Sequence, residues 1–168
     1  MSNVISRGIE VYGNLKFGKH VRIDHGCIFT GDVVLGDYVH VAPYCVFHGG
    51  AGISVGDFSG FSAGTHIYTS CDDFSGETLF GPTVPDECKN VKTVPMEIGS
   101  YVITGAKASI VAVRKVPDGV ALGGHALLTY EPVGWAIYAG VPAMYLRPRS
   151  RDCIKLADEL RKRSLRQL

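Results

Sequence analysis

Six histidines and one pair of adjacent aspartates are the side chains best suited to acid–base chemistry in this chain. His40 and His48 lie in its first third, and Asp72 and Asp73 stand side by side farther along. An imidazole exchanges protons near neutral pH. A carboxylate with an ordinary pKa of about 3.9 is a poor base for an alcohol, although it can orient an amine or a neighbouring imidazole. A reaction that removes a proton from a substrate would therefore draw on the histidines.

The five cysteines are given no chemical role. They are Cys27, Cys45, Cys71, Cys88 and Cys153, an odd number without a CxxC pair, so neither a disulfide framework nor a zinc site is indicated. Cys71 adjoins Asp72, and an acidic neighbour disfavours the reactive thiolate. We expect reduced thiols and no covalent intermediate on cysteine.

Charge and composition exclude several classes of partner. The chain has 168 residues with 17 basic and 16 acidic side chains, a net charge of +1, so no overall field would attract nucleic acid or anionic lipid. The N-terminus lacks the basic-then-apolar run of a signal peptide, and no apolar stretch approaches the roughly 20 residues that cross a bilayer. We expect a cytoplasmic protein without nucleic-acid binding or membrane insertion.

A six-residue repeat supplies the elements that must position these side chains. Aliphatic or aromatic residues recur at every sixth position, with a two-residue slip in the segment HGGAG and one polar member, Thr104: Ile5, Val11, Phe17, Ile23, Phe29, Leu35, Val41, Phe47, Val55, Phe61, Ile67, Ile98, Thr104, Ile110, Val116 and Leu122. A second small or β-branched residue stands two positions before most of them: Val21, Cys27, Val33, Val39, Cys45, Ser59, Thr65, Val102, Ala108, Val120 and Ala126. Both sets are predicted to point inward.

Such a unit suits one short strand and one corner, so three units close a triangular coil whose stacking buries a continuous column. The sequence predicts an all-β fold, a parallel β-helix over residues 1–149. A sandwich or jelly roll would instead show strict alternation with turns at 8 to 12 residue spacing. Residues 73–97 break the repeat and read as one long loop, and residues 150–168 as an amphipathic helix with Ile154, Ala157 and Leu160 on one face.

The sequence resembles the hexapeptide-repeat acyltransferases, a group that includes galactoside and maltose acetyltransferases and the sugar acetyltransferases of surface-polysaccharide pathways. The resemblance covers about residues 17–149 and rests on three features: the repeat, the single long loop after Ile67, and the closing segment AGVPAMYLRPR. It implies a left-handed β-helix, a homotrimer with active sites between subunits, and a loop that reaches the next subunit. It also implies acetyl-CoA as acyl donor and a hydroxyl or amine of a sugar or nucleotide-linked sugar as acceptor.

The resemblance also implies roles for single residues. Asp72 stands where galactoside acetyltransferase has its catalytic histidine, so another base is required. His40, one coil earlier, is the candidate base, with Asp72 or Asp73 on the same wall orienting it or gripping the sugar. His48, at the break HGG, and Tyr68 are assigned with Asp73 to the acceptor site, since a break in a regular repeat often serves a site.

The acyl donor is expected along the last coils. Small residues there would leave room for the pantetheine arm, and they are Gly105, Ala106, Gly123 and Gly124, with Thr129 beyond them. Arg147 and Arg149 are assigned to the phosphates of the donor. The acceptor then attacks the thioester directly.

Two alternatives remain open at this point. Carbonic anhydrases of the γ class use the same scaffold, and His20 and His25 form an HxxxxH pair similar to their metal ligands, but no earlier histidine supplies a third ligand. We therefore expect no metal. A non-catalytic β-helix subunit is the second alternative, and the choice between O- and N-acetylation is also unsettled.

Overall fold

The regular elements are almost all β-strands, and one helix follows them. The computed structural model describes residues 2–165. In chain order the strands are β1 (Val4–Ile5), β2 (Glu10–Phe17), β3 (Arg22–Ile23), β4 (Ile28–Leu35), β5 (His40–Val41), β6 (Val46–Val55), β7 (Gly60–Phe61), β8 (His66–Tyr68), β9 (Ser70–Cys71), β10 (Lys92–Thr93), β11 (Met96–Ile98), β12 (Ile103–Thr104), β13 (Ser109–Val111), β14 (Lys115–Val116), β15 (Ala121–Leu122), β16 (Leu127–Leu128), β17 (Ala136–Ala139) and β18 (Met144–Pro148). Helix α1 covers Asp152–Leu165, and a short 3-10 turn covers Asp86–Cys88.

The strands form three parallel walls around a triangular interior. The first wall has the order β1-β3-β5-β7-β12-β15-β17, with β18 antiparallel at its end. Strands β2, β4 and β6 each bend at a glycine corner, so their first halves lie in a second wall and their second halves in a third. Strand β8 pairs with the first half of β6 and β11 with its second half. The second wall continues through β13 and β16, and the third through β14.

The predicted parallel β-helix is confirmed, and its two inward columns form the core. Every member of the second column, from Val21 to Ala126, is buried, and so is the first column from Ile23 onward. Val11 and Phe17 are 41% and 39% exposed because they lie in the first coil, which no earlier coil covers. Thr104 is buried and its hydroxyl lies 2.8 Å from that of Thr65, so the polar members of the columns pair with each other.

One corner column is closed by stacked rings and covered by α1. His20, Tyr38, Phe58, Tyr101 and Trp135 all have positive φ, and their rings contact each other in succession at centroid distances of 4.5 to 5.7 Å. Helix α1 lies on this stack. The guanidinium of Arg161 is 4.8 Å from the Phe58 ring and pairs with Asp57, and Ala157 is buried.

Within residues 2–165 no helix is both long and apolar enough to cross a membrane.

The structure differs from the sequence-based boundaries at two points. The repeat resumes at β11, so Met96 and Glu97, placed in the loop by the pattern, belong to the third wall. The pattern also ends too early at Leu122, because β16 and β17 add most of a further coil in which Leu128 and Tyr138 are buried. Of the helix expected at 150–168, α1 covers 152–165, and 166–168 lie outside the described residues.

The stacked core predicts a large loss of stability on removal of one internal ring. Phe47 is fully buried, with its ring centroid 5.2 Å from that of Phe29 and 5.1 Å from that of Phe61. We expect Phe47→Ala to lower the free energy of unfolding by about 3–5 kcal/mol, measured by denaturant titration. Leu156→Ala is the matched control, because that side chain is 66% exposed on α1. Equal losses in the two variants would contradict the assignment of the core.

Candidate functional site

The second wall carries a cluster of two histidines and a tyrosine where the long loop begins. Thr30, His48 and Tyr68 face outward at the same position of successive coils, as the pairing of β4, β6 and β8 requires. The rings of His48 and Tyr68 are stacked at 4.8 Å. The Tyr68 hydroxyl lies 3.1 Å from Nδ1 of His66, and the Thr30 hydroxyl lies 3.4 Å from Nδ1 of His48. Two of the residues assigned to the acceptor from sequence, His48 and Tyr68, are therefore in contact.

A buried threonine fixes the irregular coil below this cluster. The extra residues of HGGAG bulge out between His48 and Ile53, where the pairing of β4 with β6 shifts register. Thr69 is fully buried and its hydroxyl donates to the His48 carbonyl at 2.9 Å and accepts from the Ala51 amide at 3.2 Å. Its own carbonyl accepts from Val94 at the far end of the loop. Thr69 thus ties the bulge to both ends of the loop, a role that the sequence pattern did not reveal.

The environment of His48 favours its neutral form. Partial burial lowers the pKa of His48, and the nearby His66 lowers it further. A neutral imidazole with one nitrogen directed at Thr30 can accept or donate a hydrogen bond through its other nitrogen. The cluster is therefore suited to holding a polar, uncharged part of a ligand near neutral pH.

The long loop leaves the prism beyond the cluster and is organised by its aspartates. Strand β9 pairs antiparallel with β10 to form the base of the loop. Asp73 accepts hydrogen bonds from the amide and hydroxyl of Ser75 and from the hydroxyl of Thr78, and these bonds lower the pKa of Asp73. Asp72 makes one long contact, 3.4 Å from the Gly81 amide. Asp73 therefore caps the loop, whereas the Asp72 carboxylate retains acceptor capacity.

His40 lies on a different wall from Asp72, so the expectation that they share one wall is wrong. His40 belongs to β5 in the first wall, whereas Asp72 follows the second wall. The Nε2 atom of His40 is 2.9 Å from Asp24, which also binds Arg22. Burial raises the pKa of Asp24, but hydrogen bonds from His40 and Arg22 outweigh it and hold the pKa below its ordinary value. Asp24, not Asp72 or Asp73, orients His40.

Small side chains form a row along the first wall. Ala42, Ser62, Gly105, Gly123 and Ala139 each follow a paired residue of successive strands, so they are neighbours from coil to coil. A Cβ at Gly105 would lie 2.4 Å from the Gly124 amide and one at Gly123 would lie 3.0 Å from Ala139, so stacking itself requires these glycines.

The adjacent corner leaves free space that stacking does not require. Ala106 and Gly124 lie there, both exposed. A Cβ at Gly124 would meet nothing nearer than the Ala106 carbonyl at 3.4 Å. Of the four small residues assigned to the donor, Gly124 is thus the one whose lack of a side chain is least explained by packing.

The remaining residues assigned to the donor lie near the last coil. Thr129 and Arg147 are exposed, and Arg147 lies on β18 opposite Ile137. Arg149 is used differently: its guanidinium donates to the backbone carbonyls of Tyr101 at 2.6 Å and Gly119 at 3.1 Å. This side chain fastens the segment before α1 to the corner stack.

The histidines of the HxxxxH pair, His20 and His25, are not arranged as a metal site. The His20 ring stacks on Tyr38, and His25 Nε2 lies 3.1 Å from the Tyr44 hydroxyl at another corner. Within residues 2–165, no group of three or more His, Cys, Asp or Glu side chains is placed to hold a metal ion.

Comparison with known proteins gives matches over nearly the whole chain. Residues 14–49 match the family model described as bacterial transferase hexapeptide (six repeats). The chain is 29% identical over 157 residues to a dTDP-4-amino-4,6-dideoxy-D-glucose acyltransferase of Escherichia coli, a match that covers 90% of this chain and 82% of that protein.

Solved structures extend the comparison. AntD, an N-acyltransferase from Bacillus cereus bound to dTDP and 3-hydroxybutyryl-CoA, is 37% identical with a TM-score of 0.93, covering 96% of this chain and 88% of that chain. Other AntD structures carry a replaced aspartate or a replaced serine ten positions before it. PerB from Caulobacter crescentus, bound to CoA and GDP-perosamine, is 14% identical with a TM-score of 0.55 over 87% of this chain and 57% of that chain, and shows the fold alone.

The cluster on the second wall predicts a depressed histidine pKa. We expect the pKa of His48, followed by NMR of ring-labelled histidine, to lie below its ordinary value of about 6.5 and to rise in His66→Gln, which removes a nearby charge. His25→Gln, at a distant corner, serves as the control.

The same depressed pKa has a consequence for stability. Because the unfolded chain binds the proton more readily, the His48 contribution to the free energy of unfolding is lost as pH falls below about 6.5. His48→Gln should therefore weaken the pH dependence of unfolding in this range. A His48 pKa at or above 6.5 would refute the described environment.

Proposed function

The chain belongs to the hexapeptide-repeat acyltransferases, and we propose that it transfers an acyl group from an acyl-CoA thioester to the amine of a dTDP-linked amino sugar. The observation that carries this proposal is the match, over nine tenths or more of this chain, to two enzymes of this kind, one of them acting on dTDP-4-amino-4,6-dideoxy-D-glucose and one solved with dTDP and an acyl-CoA. Both matches cover more than four fifths of the relative. An acyl-CoA donor agrees with the sequence-based expectation, and the comparisons favour N- over O-acylation.

The reaction requires no covalent intermediate on the protein. The neutral amine attacks the thioester carbonyl, a C–N bond forms, and the C–S bond breaks so that CoA leaves as the thiol. One amine proton passes to the departing sulfur, directly or by way of solvent. An amine needs less help from a base than an alcohol, so a carboxylate that orients the N–H groups is sufficient. Asp72, with acceptor capacity left, is suited to that role.

The spacing of two residues supports Asp72 and adds a partner for it. AntD was altered at an aspartate and at a serine ten positions before it. In this sequence one Ser–Asp pair has that spacing, Ser62 with Asp72. Ser62 lies in the row of small residues on the first wall, between Ala42 and Gly105. We assign the Ser62 hydroxyl to the reacting thioester or amine.

The positions of Ser62 and Asp72 favour a site between subunits. Strand β8 of the second wall and strand β9 at the base of the loop lie between them along the chain, and six residues of extended chain, from His66 to Cys71, span about 20 Å. Groups so far apart reach one substrate when the first wall of one subunit faces the second wall and loop of the next. Phe74 and Phe80, 90% and 70% exposed on the loop, would then be covered by the neighbour. A homotrimer supplies three such sites.

The remaining assignments follow from this arrangement. The donor lies along the first wall, with pantetheine passing Gly105, Gly123 and the open corner at Ala106 and Gly124, and with Thr129 and Arg147 toward its phosphates. His48 and Tyr68 of the neighbour hold the nucleotide-linked sugar. His40 is not the base.

We also propose a cytoplasmic enzyme of bacterial surface-polysaccharide synthesis, where nucleotide-linked amino sugars are consumed.

Direct assay tests the proposal. Purified protein, an acyl-CoA and dTDP-4-amino-4,6-dideoxyglucose should yield the N-acylated nucleotide sugar by mass spectrometry, with CoA thiol released in equal amount. The matched control is the corresponding nucleotide sugar with a hydroxyl in place of the amine, which should not react. Product from the hydroxyl sugar alone, or from neither sugar with any acyl-CoA, would refute the proposal.

Two variants separate the candidate catalytic groups. With acetyl-CoA as donor, we expect Asp72→Asn to lower kcat/KM by about 10²-fold or more, because oriented polar groups contribute on this scale, whereas His40→Gln keeps most activity toward the amine. Asp86→Asn is the control, an exposed carboxylate of the same loop that pairs with Lys89. Loss of activity in His40→Gln with retention in Asp72→Asn would restore His40 as the base.

A further inference from the structure

One glycine of the first wall has no structural reason to be glycine. Gly60 begins β7, its φ is not in the left-handed region, and a Cβ built on it would meet no atom within 4 Å. The residues at the same position of the coils on either side, His40 and Ile103, both carry large side chains. A strand glycine without a packing or backbone cause often marks the close approach of a ligand or another chain.

The missing side chain opens a depression of about 200 Å³ on the first wall. Its floor includes Phe61, which is buried, and its sides are His40 and Ile103, of which Ile103 is 45% exposed. Ala42 and Ser62 form the edge that faces the row of small residues. The depression is therefore apolar at its base and has a hydroxyl and an imidazole at its rim.

We propose that this depression receives the acyl chain of the donor and that Gly60 sets its permitted length, admitting four-carbon acyl groups. The proposal rests on the proposed function. A pantetheine arm that passes Gly123 and Gly105 brings its thioester to Ser62, which lies in the next coil of the same row. The acyl group then continues past the edge into the space above Gly60.

The size and chemistry of the depression favour this occupant. A volume of about 200 Å³ is several times the roughly 30 Å³ that one water molecule takes in the liquid, so a four-carbon chain fits where an acetyl group would leave space. The apolar floor suits the hydrocarbon part. The half-exposed His40, oriented by Asp24, can hydrogen-bond a hydroxyl on the third carbon. The expected donor class is butyryl or 3-hydroxybutyryl thioesters of CoA.

The test is a comparison of donors at a fixed amino-sugar acceptor. Acetyl-CoA, butyryl-CoA and 3-hydroxybutyryl-CoA are assayed with the full-length protein and with Gly60→Ala and Gly60→Val. We expect the wild type to prefer the four-carbon donors. Since one methylene group in an apolar pocket changes kcat/KM by about 10-fold or more, Gly60→Val should lower kcat/KM for both four-carbon donors at least about 10-fold and leave acetyl-CoA within about threefold. The kcat/KM of Gly60→Ala for the four-carbon donors should lie between the values of the wild type and Gly60→Val.

A second variant enlarges the depression, so that its effect cannot come from disruption of the fold by a larger side chain. Ile103→Ala removes one side of the depression, and we expect it to raise the activity with hexanoyl-CoA relative to butyryl-CoA. Ser54→Val is the control, because it places the same valine side chain at an exposed strand position on the third wall. Light scattering of each variant reports whether assembly is unchanged.

Three results would overturn the inference. Equal losses with all donors in Gly60→Val would make Gly60 a general contact of the donor or of a neighbouring subunit, and a changed mass would identify the latter. Unchanged donor preference in Gly60→Val and Ile103→Ala would place the acyl chain elsewhere. Absence of turnover with every donor in the wild type would instead reject the proposed function, and this inference with it.

Discussion

The hydrogen bonds between successive coils are the constraint on which the rest of this structure depends. Most strands contain two or three residues and could not persist alone, so each is held by the coils before and after it. This arrangement demands a strict register, and the register repeats each outward position about 4.8 Å farther along the axis. Rows of side chains therefore become surfaces. The stacked pair His48 and Tyr68, and the small-residue row through Ser62, are both direct products of that repeat.

The corners solve a second problem that coil stacking creates. A chain that turns three times in each coil needs residues with positive φ, and at one corner these are aromatic rather than glycine. Stacked rings offset the backbone cost by burying each other, and α1 covers the outside of the stack. Arg149 and Arg161 are used in this attachment, through backbone carbonyls and Asp57 respectively. Arg149 and Arg161 of the basic C-terminal segment therefore serve the fold, whereas Arg147 is exposed.

The inward columns could be predicted from the sequence because a period of six leaves little freedom in what points inside. The last coil could not, because β16 and β17 are separated by an irregular segment that hides the period. The wall of His40 was predicted wrongly for a related reason. Residues share a wall when they are a whole coil apart, as His40 and Gly60 are, whereas a position within the loop region follows no such count. Thr69 and Gly60 were missed because their importance depends on hydrogen bonds and empty space, which residue type alone does not encode.

A carboxylate at the start of the loop is what an amine acceptor requires. An alcohol must lose its proton as it attacks, which calls for an imidazole at that place, whereas a neutral amine already has the electron pair that it needs. Asp72 would orient such an amine and accept a hydrogen bond from it without having to be a strong base. The same reasoning removes the need for His40 as a base, and the Nε2 atom of His40 is bound to Asp24, which follows the neighbouring strand β3 of the first wall. Asp72 stands where galactoside acetyltransferase has its catalytic histidine. Under the proposed function, this difference indicates that the acceptor is an amine rather than a hydroxyl.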